Sequence, residues 1–256
     1  MSWIPNRAAQ TRTLLVGVLA IGSVCGALLT MAAHAATIVV RSNGPSASAF
    51  PVGKSLPSGA AIVLKAGDVV TVLDAGGTRV LRGPGKVSVS GAGQATVNGI
   101  AVLIADTGAR QSRTGATRGS NAAAPHPTNI WYVDVARGGN FCVGNVKALA
   151  LWRAQSDRAT SVTVEPTEGA RVVIEFRPGQ ALVAWPLGAL SVSDGSRFRI
   201  SEVAPGHADP VSVTITARLL PSSPNSLDAV AQALLERGCA TQVDTLVAAT
   251  TVDAGN

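Results

Sequence analysis

The periodicity of the hydrophobic residues changes along the chain. An uninterrupted apolar run covers residues 14–33, whereas residues 37–106 and 129–219 carry short apolar segments separated by Gly, Pro, Asn and Asp. From residue 225 onward the apolar positions recur at helical spacing. The pattern therefore predicts an N-terminal apolar segment, then a long series of strands, then two C-terminal helices.

The first set of short segments predicts a small all-β domain over residues 36–107. Residues 69–73 and 78–81 are β-branched runs separated by Asp74-Ala75-Gly76-Gly77, which is the pattern of a β-hairpin. Residues 86–90 alternate with a period of two, as a half-buried strand does. Residues 97–104 read as the last strand of this domain.

The second set predicts a β-sandwich-like domain over residues 129–256, because short strands at this spacing are typical of sandwiches. The predicted strands are residues 130–135, 140–143, 149–153, 161–165, 171–176, 181–185, 197–201 and 212–219. A helix capped by Asn225 or Ser226 is expected to end before Gly238, and a second one to cover residues 241–250. The predicted fold class is mainly β, with two C-terminal helices.

The segment between the two domains, residues 108–128, has a different composition. It is rich in Arg, Gly, Ser, Asn, Ala and Pro and holds almost no large apolar residue. Such a segment buries too little apolar surface to offset its ordering entropy. We therefore expect a flexible basic linker, with a nucleic-acid-binding arm as the alternative interpretation.

The N-terminus has the features of an export signal. Arg7 and Arg12 precede the apolar run, and Ala33-His34-Ala35 follows it, which is a small-x-small cleavage site. We expect residues 1–35 to be a signal peptide cleaved between Ala35 and Ala36, and the remainder to be periplasmic. The alternative is an uncleaved anchor in the inner membrane, because the run approaches the ~20 residues that span a bilayer. Either way the rest of the chain faces away from the cytoplasm, which excludes a nucleic-acid partner and restricts membrane contact to the uncleaved form.

The cysteines fit an oxidising compartment. The chain contains three, of which Cys142 and Cys239 remain after cleavage. An even pair in an exported protein indicates a disulfide, and two buried free thiols are the alternative.

Residues 63–85 resemble the FecR-type periplasmic domain. The resemblance rests on a Gly67-Asp68 entry, a strand, a turn, a second strand and a Gly83-Pro84-Gly85 exit. FecR proteins relay a signal from an outer-membrane transporter to a sigma factor and need a cytoplasmic anti-sigma segment. Few residues precede the apolar run here, so the resemblance implies a binding module without the relay.

The second half resembles uncharacterised envelope proteins of alphaproteobacteria. This resemblance rests on Trp131, Cys142, Leu151-Trp152-Arg153, Trp185-Pro186 and Gly238-Cys239, and it implies no activity.

Candidate catalytic chemistry is sparse. His126 and His207 lack ligand spacing for a metal, and no Gly-x-Ser-x-Gly elbow occurs, so we expect no cofactor and no catalytic residues. Trp131, Trp152 and Trp185 lie within apolar segments, where core packing is expected. We therefore expect a non-enzymatic binding or scaffold module whose partner is an envelope protein. The alternative is an envelope glycan hydrolase that uses a carboxylate pair drawn from four residues: Glu165, Glu168, Glu175 and Glu202.

Overall fold

The computed structural model describes residues 37–89, 103–104, 126–202 and 211–251. The predicted signal peptide with its Ala35–Ala36 cleavage site, most of the predicted linker, and His207 lie outside these residues. Within the described part of the chain, the helices are all too short or too polar to cross a membrane.

The N-terminal strands form a four-stranded antiparallel sheet and a separate two-stranded ribbon. They are β1 (Thr37–Asn43), β2 (Ser55–Leu56), β3 (Ala61–Leu64), β4 (Val69–Asp74), β5 (Gly77–Arg82) and β6 (Gly85–Ser88). The sheet has the order β2-β1-β4-β5, and the ribbon pairs β3 with β6. The predicted hairpin is confirmed, because β4 and β5 pair without a break from Val69 opposite Arg82 to Asp74 opposite Gly77.

The Gly67-Asp68 entry has a structural role. Gly67 has a φ of 84°, a left-handed conformation that favours glycine. Asp68 is 1% exposed and accepts hydrogen bonds from the backbone N–H groups of Ser46, at 2.8 Å, and Lys65, at 2.6 Å. Burial alone would raise the pKa of Asp68, but a hydrogen bond from the Ser46 side chain, these two backbone hydrogen bonds and the Lys65 charge outweigh it and lower the pKa. The carboxylate therefore holds together two turns of this domain.

The prediction of a strand at residues 97–104 is wrong at its C-terminal end. Leu103 and Ile104, the described residues of the predicted strand at 97–104, are helical. Leu103 packs in a core cluster with Trp131 and Leu220. A short apolar run is compatible with the period of a strand or that of a helix, and tertiary packing favoured the helix here.

The second half forms two sheets. Its strands are β7 (Tyr132–Asp134), β8 (Gly139–Val143), β9 (Ala150–Trp152), β10 (Thr160–Pro166), β11 (Val172–Phe176), β12 (Leu182–Ala184), β13 (Arg197–Glu202) and β14 (Val211–Leu219), with a 3-10 turn at Val146–Ala148. The five-stranded sheet has the order β11-β10-β13-β14-β8, with β8 parallel to β14. The three-stranded sheet has the order β12-β9-β7, with β7 parallel to β9.

The two sheets enclose one core, to which every strand contributes on one face. Val133, Leu151 and Val183 of the small sheet pack in the same cluster as Val162, Phe176 and Ile200 of the large one. Along β10 the buried residues alternate with exposed or half-buried ones, as the period-two pattern predicted. The predicted mainly β, sandwich-like arrangement is confirmed.

The two C-terminal helices are α1 (Leu227–Glu236) and α2 (Ala240–Thr250), close to their predicted bounds. Gly238, with a φ of 68°, follows α1 as predicted. The predicted apolar faces are buried: Leu227, Val230 and Leu234 in α1, and Val243, Leu246 and Val247 in α2.

The helices pack against both halves of the chain, which the sequence did not predict. Val230, Leu234 and Val247 share a cluster with Ile38 and Leu73 of the N-terminal sheet. Further contacts are a Thr78–Thr250 hydroxyl hydrogen bond of 2.7 Å and an ion pair between Arg41 and Asp244. The described residues from 37 to 251 therefore belong to one compact unit, while the domain boundaries at 107 and 129 stay a prediction.

Candidate functional site

The predicted cysteine pair has disulfide geometry. The Sγ atoms of Cys142 and Cys239 are 2.03 Å apart and their Cα atoms 5.8 Å. Cys142 lies in β8 and Cys239 immediately before α2, so the bond attaches the helices to the edge of the large sheet. The buried Gln242 of α2 completes the attachment, since its amide donates to Cys142 O and accepts from Cys142 N. This pair is structural.

The four glutamates do not form one cluster. Glu175 lies opposite Ser161, whose hydroxyl contacts both carboxylate oxygens at 2.8 Å, and Glu202 lies opposite Val162. Because adjacent residues of a strand point to opposite faces, Glu175 and Glu202 are on opposite faces of the large sheet. Glu165 is four residues beyond Ser161, a separation of roughly 14 Å along the strand. Paired carboxylates in glycosidases are about 5 to 9.5 Å apart.

Two of the glutamates remain close along the chain. Glu165 and Glu168 line neighbouring cavities of about 330 and 430 Å³ that share Pro166 and Thr167. Glu202 lines a different cavity together with Asp157, whose side chain is 72% exposed and pairs with Arg158 at 3.5 Å. Within the described ranges, His, Cys, Asp and Glu form no group of three that could hold a metal ion.

The three tryptophans of the second half, Trp131, Trp152 and Trp185, differ in what their indole groups contact. Trp131 donates to Ile104 O at 2.9 Å and Trp185 to Leu190 O at 3.0 Å, and both pack in large core clusters. Trp152 is also buried, but it lies on the outer face of the small sheet with Tyr132. Its neighbour Leu151 faces the inner core, so alternation along β9 directs Trp152 outward.

This outer face carries a cavity that we call the outer pocket. Its volume is about 630 Å³. The lining residues come from β7, β9, β12 and the loops beside them: Thr128, Tyr132, Trp152, Ser156, Arg177, Pro178, Gly179, Gln180, Ala181 and Leu182. Arg177 is the one charged residue among them, so the pocket has a positive rim.

Two polar atoms of the outer pocket have no hydrogen-bond partner among the residues that the structure describes. Tyr132 is 7% and Trp152 8% exposed, and within the described residues neither the phenol oxygen nor the indole nitrogen makes a hydrogen bond. The same residues contain a single buried, unpaired side-chain polar atom, Ser42 Oγ. Both aromatic polar atoms therefore reach solvent, and the outer pocket is the cavity that they line. Burial raises the pKa of Tyr132, so the phenol is a neutral donor at physiological pH.

Arg153 holds the walls of the outer pocket in place. It is 3% exposed, and its guanidinium stacks on Phe176 with 5.1 Å between the charged carbon and the ring centre. The guanidinium donates to four backbone carbonyls, those of Ser156, Arg158, Arg177 and Gln180, at 2.5 to 3.4 Å. These carbonyls belong to two loops, residues 154–159 and 177–180, so one side chain ties both loops to the sheet.

The loops also contact each other directly. Gly179 N donates to Ser156 O at 2.5 Å, and the Gln180 amide is engaged by Arg177 N, at 3.0 Å, and Leu182 O, at 3.3 Å. The walls are therefore pre-formed. By contrast, the Arg177 side chain makes no ion pair or hydrogen bond within the described residues, and it is exposed.

Neither Arg153 nor the outer pocket was predicted from the sequence. The alternation of Ala150-Leu151-Trp152 was the available signal, because Leu151 and Trp152 cannot both face the core. The role of Arg153 has no local signal, since the carbonyls that it binds lie up to 27 residues away.

The fold and site define a mainly β protein with a disulfide-attached helical hairpin and a pre-formed pocket rich in hydrogen-bond donors. No protein-family model, no curated protein and no solved structure matches the chain.

Proposed function

We propose that this protein is an exported, non-enzymatic binding or scaffold module of the cell envelope, and that its partner is another envelope protein. The outer pocket carries the proposal. It combines a positive rim with two buried aromatic residues whose polar atoms are unpaired, and its walls are held by Arg153. A rigid site with convergent polar groups is typical of recognition.

Two further observations support the exported setting and the module character. The disulfide geometry of Cys142 and Cys239 agrees with an oxidising compartment. The resemblance of residues 63–85 to a FecR-type domain agrees with a module that binds proteins without the cytoplasmic relay. In this proposal the signal peptide is cleaved after Ala35, and the mature chain begins at Ala36.

The rival glycan hydrolase has less support. It requires two carboxylates about 5 to 9.5 Å apart on one cleft, and the sheet register separates Glu175 from both Glu165 and Glu202. Glu165 and Glu168 are the pair on which a test of hydrolysis should focus.

The experiment is site-specific photo-crosslinking in intact cells. A benzophenone amino acid replaces Pro178, an exposed residue that lines the outer pocket, so that Arg177 is kept, and in a matched control it replaces Arg171, an exposed residue that does not line the pocket. We expect position 178, and not position 171, to give one crosslinked product with a protein of the envelope. The proposal is overturned if position 178 captures no envelope protein, and the rival gains support if purified protein also releases soluble peptidoglycan fragments in a way that Glu165→Gln or Glu168→Gln abolishes.

A further inference from the structure

Among the described residues that line the outer pocket, every side chain with a free polar group can donate a hydrogen bond, and the hydroxyls of Thr128 and Ser156 can also accept one. Trp152 Nε1 and the Arg177 guanidinium can only donate, and the neutral Tyr132 hydroxyl donates or accepts. The Gln180 amide, which would supply an acceptor, is already bonded to Arg177 N and Leu182 O. The hydrogen-bonding groups that remain free in the pocket therefore suit a ligand group that accepts several hydrogen bonds.

The charge of the pocket further restricts the chemical class of the ligand. Among the described residues, Arg177 is the one charged residue that lines the cavity, and none of the lining residues carries a carboxylate. The nearest acid in the sheet register is Asp134, opposite Trp152. Asp134 shares the outer face with Tyr132 and Trp152, but it does not line the cavity, and its carboxylate is engaged by Ala136 N at 3.0 Å and by Arg137 at 3.5 Å. One free positive charge matches one negative charge, which favours a carboxylate over a phosphate dianion.

We propose that the outer pocket binds a carboxylate of the partner's polypeptide, which accepts hydrogen bonds from Tyr132, Trp152 and Arg177. This inference rests on the proposed function, because it assigns the chemical group that a protein partner presents to the same site. The carboxylate belongs either to a free C-terminus or to an Asp or Glu side chain.

The test uses the purified, oxidised mature chain, which begins at Ala36 and contains three tryptophans, and four probes. They are the peptide acetyl-Ala-Ala-Ala-Ala with a free C-terminus, its C-terminal amide, the amidated peptide with an internal Asp, and inorganic phosphate. Binding is followed through the indole N–H signals of ¹⁵N-labelled tryptophan, with the Trp152 signal assigned by its loss in Trp152→Phe. A carboxylate on the indole should shift the Trp152 signal and leave those of Trp131 and Trp185 unchanged, because their N–H groups are already bonded.

The tyrosine gives a second readout. The chain contains a single tyrosine, so the ultraviolet absorbance of ionised phenol reports Tyr132 alone. A bound carboxylate should raise the pKa of Tyr132 further, because a nearby negative charge disfavours phenolate. The amide peptide should leave this pKa unchanged, and a merely structural role of Tyr132 would show no response to any probe.

Two variants measure the contacts. Arg177→Gln should weaken carboxylate binding about tenfold or more, since it removes a charge-assisted hydrogen bond, and Tyr132→Phe should weaken it about threefold to tenfold. Arg171→Gln is the matched control and should leave binding unchanged. If the natural carboxylate is a free C-terminus, the peptide with a free C-terminus should bind more tightly than the amidated Asp peptide. If the Asp peptide binds more tightly, the natural carboxylate is that of a side chain.

Several results would overturn the inference: equal binding of the acid and amide peptides, tighter binding of phosphate, equal losses in the Arg171 and Arg177 variants, or no shift of the Trp152 signal with any probe. Photo-crosslinking separates this failure from that of the proposed function. If position 178 still captures its partner in cells while the carboxylate probes fail, the binding function stands and the carboxylate assignment is wrong. If no partner is captured, the proposed function fails whatever the probes show.

Discussion

Trp185 and Trp152 belong to the same sandwich and are almost equally buried, at 4% and 8% exposure, yet their surroundings differ. Trp185 lies between the sheets, where its ring meets Phe198 edge-on at 4.9 Å and its indole N–H is bonded to Leu190 O. Trp152 lies on the outer face, where it lines the outer pocket and its indole N–H has no hydrogen-bond partner among the described residues. The comparison teaches that burial of an aromatic ring does not by itself identify core packing, and that the bonding of the polar atom separates the two cases.

The largest effect should come from the inner tryptophan. Trp185→Ala should lower the free energy of unfolding by about 4 kcal/mol, because it removes a large side chain from a closed core and leaves a cavity. Chemical denaturation followed by circular dichroism measures the change. If Trp152→Ala lowers the free energy of unfolding by as much as Trp185→Ala does, the proposed difference between the two tryptophans is wrong.

The outer faces of the two sheets offer a second contrast, since the helical hairpin covers β8 while the small sheet carries the pocket. The double variant Cys142→Ser, Cys239→Ser should lower the free energy of unfolding by about 3 kcal/mol, because the disulfide restricts the unfolded chain. The same denaturation experiment measures it, with the reduced wild-type chain as control. Thiol labelling of the denatured, unreduced mature protein should detect no free cysteine.

Arg153 links the outer pocket to the sandwich. Arg153→Met should lower the free energy of unfolding by about 2 to 3 kcal/mol, because it leaves buried carbonyls without a donor while largely keeping the side-chain volume. Hydrogen exchange should increase in residues 154–159 and 177–180 and stay constant in β10 and β13. A uniform increase over the sandwich would show that Arg153 does not act on the two loops in particular.

The outer tryptophan should matter least to stability. Trp152→Phe should lower the free energy of unfolding by about 1 kcal/mol, since the aromatic ring is largely retained and no bonded N–H is lost. Trp185→Phe is the matched control and should cost more, because it leaves Leu190 O without its donor. Equal costs would remove the distinction between the two indole groups.

The smallest expected effect concerns Tyr132, which is the single tyrosine of the chain. Because burial raises the pKa of Tyr132, absorbance titration should place its ionisation in the folded chain above the value of 10.0 expected for an unperturbed phenol. A raised folded-state pKa favours the folded chain below pH about 10, and that contribution is lost as the pH rises through the folded-state value. Tyr132→Phe should therefore show a smaller loss of stability in alkali. Identical titrations of folded and denatured chains would contradict burial of the phenol.

Local pattern was sufficient for most of the fold. The β4–β5 hairpin follows from its turn residues and the buried faces of α1 and α2 from helical spacing, because these features depend on neighbours within a few residues. The segment at 97–104 shows the limit of such reasoning, since Leu103 and Ile104 are helical where they pack beside Trp131.

The sequence by itself determined the mainly β class and the positions of most strands and of both C-terminal helices, and it favoured a disulfide between Cys142 and Cys239. Only the tertiary structure decided that the helical hairpin also packs on the first sheet, through contacts such as Thr78 to Thr250, and that Arg153 ties two loops around an open Trp152. The physical reason is separation along the chain. Periodicity says which face of an element is apolar, but it does not say which distant surface covers that face or which polar atoms remain unpaired.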